Sequence, residues 1–399
     1  MRQVQQISAP AVSVPVVVVV LSLCGLLVLS QLYLAIPLIP LVSQIFGVSQ
    51  AAASWIGSMF GFAYALGFLI FGPLCDRYGC KVVLVPGLAV LALTTLAVGA
   101  SSSFEILVQL RALQGFIAAT FAPAALVYVS EVLPRSTRSI GIACVSTGFL
   151  LAGIMGQVYS SIVSSTYGWR WVFWFLAIAY AVAAFVVAKR FPDSVRQKPS
   201  ASILSVYRNM AALLKSYSLL AAYTAALMVL LSFVAMYSGL GPYLSSHYGI
   251  NQNNLLFIRM AGIPGMLLAP LAGSFIQRWG SKRVVVSGLV LAAIGLGLEA
   301  VSGQLFILVT VSGIFVAGIS ATMPALIALV GSIAAEARGA AIALYTFVLF
   351  VGASLGPLVT TLLHPVGFTG LCASLTFFLL IAAVTVQMGV RGITGTRLS

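Results

Sequence analysis

Two short strings of polar residues interrupt an otherwise apolar chain, and both hold groups that could do chemistry. The first is Gly72-Pro73-Leu74-Cys75-Asp76-Arg77-Tyr78-Gly79-Cys80-Lys81. Residues 3–75 carry no charge, so Asp76 and Arg77 are the first charges after Arg2. Asp76 can hold a helix N-terminus, Arg77 offers a forked donor, and Gly79 permits a tight reversal. The second string is Arg111-Ala112-Leu113-Gln114-Gly115. Its arginine lies eight residues past Ser103, about 12 Å along a helix at 1.5 Å rise per residue. A charge that deep in an apolar segment is expensive and marks a functional site, unless the side chain snorkels to an interface. Arg111, Gln114, Gly115, Ala118 and Ala122 share one helical face. All but the arginine and glutamine are small, which predicts a face on a water-filled cavity.

A second intramembrane charge, Arg259, has no counterpart in the first half of the chain, where Ser58 stands at the matching position. A binding role and snorkelling both remain open for it. Acids are conspicuous by their placement. Glu105 and Glu299 read as lying near outer helix ends, and Asp193 and Glu336 as lying in loops. A cavity with two arginines and no acid favours neutral or anionic amphipathic molecules. The two histidines, His247 and His364, read as interfacial.

The elements that must position these groups are membrane helices. The chain has 399 residues, 61% hydrophobic and 7% charged, with a mean hydropathy of +1.13, against about 25% charged in soluble domains. The intervals between charges are one or two spans long at about 20 residues per span. The predicted spans are Val14–Leu38, Ala51–Leu74, Val82–Gly99, Phe104–Leu133, Ser139–Val163 and Trp169–Lys189, then Ser218–Leu244, Asn254–Ile276, Val284–Val301, Leu305–Ala334, Gly339–Leu363 and Thr369–Val390. The apolar run Val12–Leu34 is too long for the core of a cleaved signal peptide and reads as span 1. Residues 191–216 form the one long polar connection, dividing residues 1–190 from 217–399. Its segment Ile203–Leu214 fits either an amphipathic surface helix or a solvated linker.

The net charge of +14 raises the question of nucleic acid, and the distribution answers it. Seventeen of the 20 Lys and Arg fall in loops or ends on one side: Arg2, Arg77, Lys81, Arg135, Arg138, Lys189, Arg190, Arg196, Lys198, Arg208, Lys215, Arg278, Lys282, Arg283, Arg338, Arg391 and Arg397. Arg170 alone falls in a loop opposite. This is the positive-inside asymmetry, with both termini cytoplasmic and an even number of spans. The five cysteines are Cys24, Cys75, Cys80, Cys144 and Cys372. Cys75 and Cys80 flank a cytoplasmic turn, where thiols stay reduced, and no zinc spacing occurs. The expectation is neither disulfide nor metal.

The two halves are copies. Asp76-Arg77-Tyr78-Gly79-Cys80-Lys81 matches Gln277-Arg278-Trp279-Gly280-Ser281-Lys282 at an offset of 201, as Ala122-Pro123-Ala124 matches Met323-Pro324-Ala325. Ile142-Ala143 and Gly156 match Ile342-Ala343 and Gly356 at an offset of 200.

The pattern G-x-L-x-D-R-x-G-x-K at Gly72–Lys81, with its degraded copy in the second half, resembles the signature loop of the major facilitator superfamily of transporters. The resemblance implies an all-α membrane protein with 12 transmembrane helices in two pseudo-symmetric six-helix bundles, and a site between them near the bilayer midplane. It implies that Gly72, Asp76, Arg77, Gly79, Lys81, Glu131, Arg278 and Gly280 serve a conformational switch. Asp76, Arg77 and Glu131 would latch the halves when the cavity opens outward; the same charges also set topology. Cys80 stands where a base is usual, and Gln277 where the acid is.

Arg111-x-x-Gln114-Gly115 resembles a motif of drug and metabolite exporters, in which the arginine is associated with proton coupling. The run from Leu32-Tyr33 through Pro37–Phe46 to Ser49 looks like the drug and sugar efflux branch. Gly148, Gly153 and Gly156 resemble the glycine-rich antiporter motif, with Gln157 where proline is expected; close helix packing explains these glycines as well. Arg111, Gln114, Gly115, Arg259, Gln31, Tyr33 and Tyr237 are the expected substrate or proton pathway. The implied function is proton-coupled efflux of small amphipathic molecules by a monomer in the cell inner membrane, in contact with lipids and without nucleic acid or cofactor. The alternative is an uptake or exchange carrier for a small organic anion clamped by Arg111 and Arg259. An enzyme would need clustered acids, histidines or a nucleophile with its base. A primary pump would need G-x4-G-K-[ST], which does not occur.

Overall fold

The computed structural model describes residues 14–193, 208, 210–250, 252–266 and 271–390. Among these, eleven stretches are long and apolar enough to cross a membrane. They fill eleven of the twelve expected positions, and at the remaining one, span 8, the described residues form three helical segments, residues 267–270 lying outside the described ones. α1 is Val14–Tyr33 and Ala35–Phe46, α2 is Trp55–Tyr78, α3 Cys80–Gly99, α4 Phe104–Ala118 and Phe121–Val132, α5 Arg135–Tyr167 and α6 Trp169–Arg190. α7 is Tyr217–Tyr248, and α8 is Gln252–Met260, Ile263–Met266 and Ala272–Trp279. α9 is Ser281–Val301, α10 Leu305–Ile333, α11 Arg338–Leu362 and α12 Gly367–Gly389.

The breaks in α1, α4 and α8 correct the unbroken helices expected there, and proline explains them. A proline ring removes one ladder bond and crowds the carbonyl four residues earlier. Pro37, Pro123 and Pro264 each lie four residues past the last helical residue or its neighbour: Tyr33, Ala119 and Met260. Proline is not sufficient, because Pro324, the copy of Pro123, sits inside an unbroken α10. Half of the proposed surface helix at 203–214 lies outside the described residues. Met210 is buried.

In lipid, helices gain little from burying apolar surface and associate through close packing of small residues. Here α1 packs on α5, α2 on α4 and α3 on α6, and the second bundle repeats the pattern with α7 on α11, α8 on α10 and α9 on α12. A Cβ at Gly148 or Gly156 of α5 would crowd the carbonyls of Ser22 and Ser30 on α1, so these glycines serve packing. The bundles meet along two further seams, α2 against α11 and α5 against α8.

Candidate functional site

Between the bundles lies a cavity of about 930 Å³. Tyr33 and Phe149 line it from the first bundle and Phe233, Met266, Tyr345 and Phe350 from the second. Arg77 and Arg338 stand at its mouth, on the face where Lys81 and Lys282 also lie, so the cavity opens to the basic face. None of the described residues that line it is acidic. Aromatic pairs join the bundles around it. Tyr33 meets Phe233 edge-on at 5.8 Å, Tyr64 meets Phe350 at 4.6 Å, and Phe68 stacks on Phe350 at 5.4 Å between centroids. Sequence reasoning singles out Tyr33 here but none of the phenylalanines, because a phenylalanine in an apolar helix carries no distinguishing pattern.

Arg111 does not line this cavity. It is fully buried between α1, α2 and α4. Nε donates to the Ile56 carbonyl at 2.9 Å, Nη2 to the Gln31 carbonyl at 2.7 Å, and Nη1 to Oε1 of Gln31 at 3.2 Å and of Gln114 at 2.6 Å. Gln114 in turn donates to Thr95 of α3 at 2.7 Å. Phe60 places its ring face 4.3 Å from the guanidinium carbon, a cation–π contact. The expected helical face is therefore real, but it points into the bundle core; of its members Ala122 reaches the cavity. Gly115 is pressed against the backbone of Phe60.

Arg259 likewise lies outside the cavity. It is 3% exposed and bonds across the α5–α8 seam, Nη1 donating to Ser161 Oγ at 2.9 Å. Tyr237 is buried beside it, within electrostatic reach of Arg259 and Glu299. Glu299 stands near the end of α9, as the sequence suggested, but its burial was not foreseen. It is turned inward and 2% exposed. The signal was present: Val285, Leu289, Ala292, Leu296 and Glu299 form one buried stripe at helical spacing. Glu105 is exposed in the first turn of α4.

At the signature turn, Gly79 and its copy Gly280 adopt φ of +92° and +82°, which a side chain rarely tolerates. Gly72 faces open space at the cavity wall. Asp76 falls within α2, and its side chain lies outside the described residues. Arg77 and Arg278 are exposed, and Glu131 is half-buried within electrostatic reach of Tyr128. The turn brings the Cα atoms of Cys75 and Cys80 to 4.7 Å, and the two are joined as a disulfide, correcting the expectation of free thiols.

The signature lysines have a shared task. Lys81 Nζ donates to the Phe191 carbonyl at 2.6 Å and to Asp193 at 2.9 Å. Lys282 Nζ donates to the carbonyls of Gln387 at 2.8 Å and Val390 at 2.6 Å. Each thus caps the C-terminus of the last helix of its bundle, where a cation is favoured. The Lys81 contact holds the Asp193 carboxyl below its ordinary range. Lys282→Ala is expected to lose about 1–2 kcal/mol, the range for a partly enclosed cation at a helix end, seen as a lower apparent Tm. Asp193→Asn, at a side chain 93% exposed, should leave Tm unchanged.

The Major Facilitator Superfamily model matches residues 21–269 and 235–392. The chain is 25% identical over 341 residues to an uncharacterized transporter of Buchnera aphidicola subsp. Schizaphis graminum, covering 85% of this chain and 82% of that protein. It is 25% identical over 337 residues to the MFS-type transporter YceJ of Bacillus subtilis, covering 83% and 85%. In three dimensions it resembles a bacterial homologue of the human lysosomal transporter Spinster in an inward-facing and occupied conformation. The TM-score is 0.72 over 94% of this chain and 96% of that one, at 16% identity, a likeness of fold.

Proposed function

The chain belongs to the Major Facilitator Superfamily, and on that premise we propose that it exports small neutral or anionic amphipathic molecules in exchange for protons. As a member it is a multi-pass membrane transporter of small molecules and not an enzyme. The observation that carries the finer reading is the cavity: aromatic and apolar walls, arginines at the mouth, and no acid among the described lining residues. Such walls suit an apolar body, and Arg77 and Arg338 suit a polar or anionic head. Exporters of cations need a carboxylate in the site; the described lining residues offer none.

The charge asymmetry supports an orientation with the basic face in the cytoplasm of a bacterial-type inner membrane and both termini on that side. The cavity then opens inward, and the molecule collects its cargo from the cytoplasm. The signature turn, with Asp76, Arg77 and Glu131, closes that mouth when the other side opens. The rival organic-anion carrier needs Arg111 and Arg259 as clamps in the cavity. Both are enclosed elsewhere, so the efflux reading is preferred.

The test is thermal stability of the purified protein against cationic, neutral and anionic amphiphiles, since a ligand of the folded state raises Tm by mass action. Neutral and anionic compounds should stabilise it. Proteoliposomes with an imposed proton gradient should then accumulate those compounds against their gradient. Stabilisation by cations alone would overturn the cavity argument, and accumulation indifferent to the proton gradient would overturn exchange.

A further inference from the structure

The second bundle encloses a polar layer that the cavity does not use. Glu299 Oε2 accepts from Cys372 Sγ of α12 at 3.8 Å, and the carboxyl lies beside Ser312 of α10. Its Oε1 is enclosed without a hydrogen-bond partner among the described residues, and so is the hydroxyl of Tyr237. Tyr237 lies within electrostatic reach of both Glu299 and Arg259, and Arg259 holds Ser161 of the other bundle. A thiol is a weak donor, and burying a charge with so little compensation is costly.

Repeat symmetry does not demand this acid. At the offset of 201, Glu299 corresponds to Val98 and Ser312 to Arg111. The two bundles therefore carry opposite charges in one pseudo-symmetric layer, a base on α4 and an acid on α9. Arg111 is bonded on every side by protein acceptors. For the acid, by contrast, Oε1 has no hydrogen-bond partner among the described residues, and Tyr237 lies within electrostatic reach of both it and Arg259.

We propose that Glu299 carries the proton of the transport cycle and acts through Tyr237 and Arg259 on the contact with Ser161. This rests on the exchange reading above. With an Oε1–H bond formed, the carboxyl has no net charge, and Arg259 stays on Ser161, holding the face opposite the cavity mouth closed, as in this structure. When the proton passes to water reaching in from the cavity, the O–H bond breaks and a carboxylate remains. Its field draws Arg259 towards Tyr237 and away from Ser161, and the α5–α8 seam is freed to part. Uptake of a proton from water on the opposite side restores the first state. Glu299 meets Cys372 from α12, lies beside Ser312 of α10 and is within electrostatic reach of Tyr237 from α7, and Tyr237 in turn is within reach of Arg259 from α8.

The experiment measures separation of the bundles without any substrate. Spin labels at Ser165→Cys on α5 and Ser246→Cys on α7, with exposed Cys144→Ser, are read by dipolar spectroscopy in lipid vesicles from about pH 5 to about pH 9. The unaltered switch should open as pH rises, its open-to-closed ratio changing by up to about tenfold per pH unit for one proton. Glu299→Gln, which keeps the shape but cannot ionise, should stay closed throughout. Ser161→Ala, which leaves the acid intact, should open already at low pH. If Glu299→Gln titrates like the parent, the assignment of Glu299 falls while proton exchange stands. If the parent itself does not respond to pH, the assignment and the exchange reading fall together.

Discussion

Arg111→Met should unfold the first bundle more easily by about 3–5 kcal/mol, the range for removing one partner from a buried charged network. The side chain donates to four acceptors on α1, α2 and α4: two main-chain carbonyls and two amide oxygens. Methionine fills much of the space but donates to none of them. Four acceptors would then lie in a dry core, each carrying a desolvation penalty of about 1–3 kcal/mol that local relaxation only partly relieves. Lysine keeps the charge but lacks the fork, so Arg111→Lys should fall between. Thermal unfolding of both variants, with binding of a stabilising amphiphile measured on the folded fraction, separates structure from transport. If Arg111→Met melts with the parent protein, the residue stitches nothing. The proton-coupling role implied by resemblance would then be its whole purpose.

The reach of sequence reasoning here follows the range of each interaction. Alternation of apolar runs and basic loops is local, so the spans and the repeat were legible. The proline breaks are local too, but Pro324 shows that the same residue in the same place need not break a helix. Tertiary support decides that, and a single chain does not display it. Arg111 was recognised as a functional group, yet whether its face meets water or protein depends on how α2 lies against α4. The Arg259–Ser161 contact joins residues in different bundles, with nothing in either segment to announce the other. Glu299 lies near the helix end as expected, but its inward direction was missed for a simpler reason. Distance from the helix end was used where the stripe through Leu289, Ala292 and Leu296 would have shown which way it points. Lys81 was grouped with the switch; that it and Lys282 cap α6 and α12 depends on where those helices end in space.

Gly115→Ala should be the most damaging single-methyl change in the first bundle. An added Cβ would overlap the Phe60 carbonyl oxygen and lie 2.8 Å from its carbon and 2.9 Å from its Cα. These are backbone atoms, so no side-chain rotation makes room, and α2 must move away from α4. Overpacking typically costs about 1–3 kcal/mol, and here the displacement also stretches the bond from Arg111 to Ile56 one turn earlier. The expected loss is therefore at or above that range, read as a lower Tm and a smaller monodisperse fraction. Gly72→Ala is the matched control. Its Cβ would meet nothing within 4 Å, so stability should be unchanged even though the residue lines the cavity. Because Gly115 and Arg111 act on one seam, the double variant Gly115→Ala with Arg111→Met should lose less than the sum of the two, the non-additivity of contacting sites. Full additivity would mean that the glycine and the arginine hold different parts of the bundle.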